Sequence, residues 1–146
     1  MFLKNIIFTF TVLLLLTSCN AKKSGLNFDT DKDELTNNVS NYVLFDVDSA
    51  RLDPQARSVL DEQSNWLEMN SNINVIIEGH CDERGTREYN LALGAKRANS
   101  VKSYLTSSGI NSSRIATISY GKERPVVQGT GRNVWRENRR AITLVN

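Results

Sequence analysis

The segment INVIIEG, Ile73–Gly79, constrains the fold more than any other stretch of this 146-residue chain. It is β-branched and almost uninterrupted by polar residues, which marks a strand at a central position in a sheet. Three further strand-like runs surround it: YVLFDV from Tyr42, SRIATISYG from Ser113, and the terminal RRAITLV. Between them lie helical patterns. One begins at Pro54, with Asp53 before it as N-cap, and repeats Ala56, Val59, Leu60, Trp66 and Leu67 near helical spacing. Another runs from about Thr86 to Ser107 with Leu91, Gly94, Ala98, Val101 and Leu105 on one stripe and Gly109 as the stop. A short helical piece is expected near Val134 to Asn138.

Strand, helix, strand, helix, strand, short helix, strand is an order that crossover helices can serve only by covering a sheet. The expectation is an α+β domain: a two-layer α/β sandwich, with a mixed four-stranded sheet and helices on one face. Residues 42–146 are enough for one core of this kind.

The first 41 residues do not belong to that pattern. Lys4, the uncharged run from Ile6 to Leu16, and TSC up to Cys19 have the order of an export signal. The apolar run is too short to span a bilayer, which takes about 20 residues. LTSC resembles a bacterial lipobox, so residues 1–18 are read as a lipoprotein signal peptide and Cys19 as the lipidated residue. Residues 19–41 then form a lipidated cysteine and a polar, flexible tether. Net charge is +2 with the basic residues scattered, so nucleic acid is not an expected partner. Cys19 and Cys81 are the only cysteines, which excludes a disulfide framework.

EGHCDERG, Glu78 to Gly85, gathers the residue types from which sites are built. A metal centre is disfavoured: neighbours in an extended segment point to opposite faces, no second histidine exists, and about four ligands are needed for a structural zinc. A nucleophile pair from His80 and Cys81 would need adjacent side chains to meet, with no orienting third group. Glu78 and Asp82 could serve as a carboxylate pair in a lipid-anchored hydrolase, although such pairs are common on surfaces. A ligand pocket fits better, because the stretch ends a central strand. Asp82 and Arg97, the latter bordering the core-facing stripe of the second helix, would suit a zwitterion: carboxylate for ammonium, guanidinium fork for carboxylate. A plain Asp82–Arg97 ion pair remains open on spacing alone.

LFDVDSARLDPQA, EGHCDERGTREYNLALGAKRANSVKSYL, SYGKERPV and NRRA, in that order, resemble the OmpA-like peptidoglycan-binding domain family over about Tyr42 to Val145. The resemblance implies non-covalent binding of meso-diaminopimelate in the stem peptide of peptidoglycan, with no catalysis and no cofactor beyond the lipid on Cys19. It assigns Asp82 to the ligand's ammonium and Arg97 to its carboxylate. It adds Asp48, Thr86 and Leu93 to the pocket, with Val47, Asn90 and Arg139 supporting it. Family members of this arrangement sit in the outer membrane, face the periplasm and partner the propeller protein of the Tol system (TolB). A wall-anchored subunit of a porin or motor complex would need membrane spans of its own. Cys81 departs from the family, which usually has alanine or threonine there.

Overall fold

A computed structural model describes Leu35 and residues 39–146. The expected signal peptide, Cys19 and most of the expected tether lie outside the described residues. Four strands, β1 (Tyr42–Leu44), β2 (Val75–His80), β3 (Ile115–Gly121) and β4 (Arg140–Val145), form one sheet in the order β1-β4-β2-β3. β4 runs antiparallel to both β1 and β2, while β2 and β3 are parallel across the helical crossover. This is the mixed four-stranded α+β arrangement expected.

β2 is central because both of its edges are paired, with Ile77 opposite Thr143 on one side and Thr117 on the other. Its faces differ. Val75 and Ile77 are buried beneath the helices, whereas Ile76 and Glu78 on the far face are only partly covered. Its apolar run therefore records edge pairing more than two covered faces.

Helix α1 (Pro54–Met69) starts where expected: the Asp53 carboxylate accepts from the Ala56 N–H at 2.7 Å, and proline opens the first turn. Ala56, Leu60 and Leu67 face the core, and Val59 packs at its margin. Gln63, fully buried, accepts from the Thr143 hydroxyl and donates to the Ser40 carbonyl, both at 2.8 Å. That polar core residue fastens the start of β1 to β4.

Helix α2 (Arg87–Ser107) buries Leu93, Ala98, Val101 and Leu105. Leu91, placed on the buried stripe by the sequence, is instead 49% exposed. Continuing the stripe backward from Gly94 by four residues reaches Asn90, which is buried, so Leu91 turns outward. The helix crosses β2 at a glycine–glycine contact. A Cβ on Gly79 would fall on the Gly94 carbonyl, and one on Gly94 would meet the Ser119 hydroxyl. This close approach sets the first half of α2 directly over the end of β2.

Several expected boundaries move: β2 begins at Val75 rather than Ile73, and a 3-10 turn at Ser112–Arg114 delays β3 to Ile115. β1 stops at Leu44, because the chain bends away through residues 46–48, where Asp48 has φ of 54°. The packed body also begins before Tyr42: Leu35 is 1% exposed within the core cluster, and Val39 packs against it. The tether assigned to residues 19–41 thus contributes at least one core residue. Helix α3 (Arg132–Asn138) is the expected short helix before β4.

Candidate functional site

The C-terminal end of β2, the start of α2 and the β1–α1 loop enclose a cavity of about 250 Å³. Arg97 forms its floor. Its side chain is fully buried, yet among the described residues it touches no carboxylate. Nε donates to the Ser49 carbonyl at 2.8 Å, Nη2 to that of Asp46 at 3.0 Å, and Nη1 to that of His80 at 2.8 Å. Arg97 therefore ties the β1–α1 loop to β2 through backbone oxygens. Nη1 also approaches Cys81 Sγ at 3.4 Å, and the guanidinium lies 5.3 Å over the Phe45 ring. Burial pulls its pKa below the usual range, but a guanidinium stays charged at any ordinary pH.

Asp82 supplies the opposite charge. Its Oδ1 accepts from the Arg84 backbone N–H and from Arg84 Nε, each at 3.1 Å. Its Oδ2 accepts from Arg84 Nη2 at 2.7 Å and Arg139 Nη1 at 3.3 Å. Burial pushes the carboxyl's pKa up, but the hydrogen bonds from Arg84 and Arg139 outweigh it and hold the group below the ordinary value. The open alternative of an Asp82–Arg97 pair is thus replaced: Asp82 pairs with Arg84 and Arg139.

The loop that carries Asp82 is braced from both sides. Asn90 Nδ2 donates to the Arg84 carbonyl at 2.7 Å and the Thr86 carbonyl at 3.0 Å. Lys122 reaches the Gly85 carbonyl at 2.7 Å. Gly85 has φ of 88°, a conformation that costs glycine little.

Most of the residues assigned from sequence meet here. Val47, Asp48, Asp82, Asn90, Leu93, Arg97 and Arg139 all line the cavity. Thr86 does not; it is the N-cap of α2, its hydroxyl accepting from the Tyr89 N–H at 3.2 Å. Arg84 and Tyr89, which sequence reasoning misses, do line it. The D-x-R spacing was the available signal for Arg84, since two residues within one tight loop can meet.

His80 and Cys81 face different partners. His80 Nε2 lies 3.3 Å from Glu78, and its ring stacks on Tyr120. The Cys81 thiol donates to the Asn90 carbonyl at 3.3 Å, and burial pushes its pKa up. This geometry offers no thiolate activated by an imidazole. A second cleft of about 310 Å³ lies beyond Arg139, along β1 and the start of α1. Its Asp53 is already used as a helix cap.

A sequence model of the OmpA family matches residues 44–139. The chain belongs to the OmpA family. The OmpA match takes in every cavity residue named above. Among relatives, the peptidoglycan-associated lipoprotein of Rhizobium meliloti is 48% identical over 112 residues, covering 77% of this chain and 64% of that protein. The protein of the same name from Mesorhizobium japonicum is 43% identical over 135 residues, covering 89% of this chain and 80% of the relative. The chain thus spans just under two thirds of the Rhizobium protein. The crystal structure of the peptidoglycan-associated lipoprotein from Burkholderia pseudomallei superposes with a TM-score of 0.71 at 38% identity, covering 73% of this chain and 90% of that one. The C-terminal domain of Helicobacter pylori MotB, at 17% identity and a TM-score of 0.67, covers 72% of this chain and 83% of its own and shares the fold alone.

Proposed function

We propose that this OmpA-family chain is a lipoprotein that holds peptidoglycan non-covalently, gripping the diaminopimelate of the stem peptide in the cavity between Asp82 and Arg97. The observation that carries the reading is the cavity's charge arrangement. A buried guanidinium whose contacts are neutral and a buried carboxylate share one small, partly apolar space at the end of β2. An amino acid centre, with ammonium and carboxylate on one carbon, complements both. The names of the Rhizobium and Burkholderia relatives point the same way.

In this reading lipid on Cys19 anchors the chain in the outer membrane with the domain in the periplasm. Tethering raises the effective concentration of wall, so modest affinity is sufficient. The chain then links outer membrane to cell wall within the Tol-Pal system, with the Tol propeller protein as partner, supporting envelope integrity and cell division. No bond is broken, so the site acts by binding rather than catalysis.

Co-sedimentation with purified sacculi tests the proposal. Asp82→Ala should lower wall affinity about tenfold or more, the worth of a hydrogen bond to a charged group. Undiminished pelleting of the variant would remove the cavity from the account.

A further inference from the structure

The Asp82 carboxylate has no place left for a ligand. A carboxylate offers about four acceptor positions on its two oxygens. Arg84 occupies three of them and Arg139 the fourth. An incoming ammonium must therefore displace a donor. The two arginines are not equally held. Arg139 is 12% exposed and is fixed a second time by its Nε bond to the Phe45 carbonyl at 2.9 Å. The Arg84 side chain is 41% exposed, and its remaining support is the face of Trp135, 4.2 Å from its guanidinium. Trp135 is held in turn by its indole N–H donating to Glu83 at 2.8 Å.

We infer that Arg84 is a specificity-determining latch, an internal cation that occupies the ammonium position of Asp82 until a zwitterionic ligand exchanges ion pairs with it. The inference rests on the proposed binding of diaminopimelate. The exchange is matched for such a ligand: its ammonium takes Asp82, and its carboxylate, facing Arg97, also receives the Arg84 guanidinium that Asp82 gives up. A lysine side chain brings an ammonium and no carboxylate. It would leave Arg84 without a partner, so the latch penalises lysine and spares diaminopimelate.

The test is calorimetric titration of the full-length lipoprotein in detergent with two stem tripeptides, one carrying meso-diaminopimelate and one L-lysine. In Arg84→Gln the lysine peptide should bind roughly fivefold tighter than to wild type, the scale of a half-exposed ion pair, and selectivity for diaminopimelate should fall. Arg84→Lys keeps the charge but loses the fork and the stacking on Trp135. It should shift selectivity the same way, by less. Unchanged or weaker lysine binding in Arg84→Gln overturns the latch. A gain in Arg84→Gln with none in Arg84→Lys also overturns it, by reducing the effect to net charge. If wild type binds neither peptide but Arg84→Gln binds both, the latch stands as a stronger block. If no form binds either peptide, the diaminopimelate reading and the latch fail together. If wild type binds diaminopimelate with the selectivity unchanged in both variants, the latch alone fails.

Discussion

Arg97→Ala is expected to destabilise the folded domain by about 3 kcal/mol or more. Three backbone carbonyls, of Asp46, Ser49 and His80, take hydrogen bonds from this one side chain. Leaving a buried acceptor unpaired costs about 1–3 kcal/mol, and water entering the vacated space recovers only part of that. The largest consequence falls on the β1–α1 loop, which the guanidinium ties to the end of β2. Arg97→Lys should not restore the loss, because an ammonium cannot span three acceptors arranged around a planar fork. Urea denaturation of both variants measures the effect. A stability within 1 kcal/mol of wild type for Arg97→Ala would show that the side chain does not hold the loop. Since loss of Arg97 disturbs the scaffold as well as the cavity, Asp82 gives the cleaner test of binding.

Acidification from pH 6.5 to 4 is expected to remove about 3 kcal/mol of stability through His80 alone. The imidazole is 1% exposed, and its pKa is lowered to about 4. Burial is the largest cause, with the positive charges of Arg140 and Arg124 adding to it. The folded state thus keeps His80 neutral where the unfolded chain takes up a proton. Between pH 6.5 and 4 the unfolded state binds more protons, so stability is fully present above pH 6.5 and falls as pH drops toward 4. Asp82, with its pKa depressed, adds a further loss that begins as pH falls through the ordinary carboxyl range and continues below it, overlapping the acid end of the His80 window. His80 is the sole histidine, so its ring protons can be followed by NMR without assignment. They should titrate near pH 4; titration at 6.5 or above would refute the burial account.

The sheet order was less legible than its elements. Asp53 and Pro54 marked the start of α1, and Gly109 the stop of α2, because caps and breakers act within a few residues. The sequence pattern misplaces Leu91 for the opposite reason. Helical spacing alone admits both Leu91 and Asn90 as the next buried position, and a hydrophobicity pattern prefers leucine. The structure buries Asn90 because its amide is needed to brace the Asp82 loop. Leu35 is not legible from the sequence, since an isolated leucine in a polar stretch carries no periodicity. At the site, charge complementarity and family resemblance together brought Asp82 and Arg97 to one cavity. They could not show that Arg97 spends its donors on backbone carbonyls, nor that Arg84 lies across Asp82. Both depend on loop conformations with left-handed turns at Asp48 and Gly85 that no spacing rule encodes.

The most direct measurement of the central claim is an amide chemical-shift map of the isotope-labelled protein, titrated with a stem peptide containing meso-diaminopimelate. The cavity reading predicts shifts confined to residues 47–49, 81–85 and the turns of α2 around Leu93 and Arg97, and their disappearance in Asp82→Ala. Shifts centred on the sheet face away from the helices, where Ile118 and Leu144 are exposed beside Glu78 and Ile76, or a map unchanged by Asp82→Ala, would contradict it.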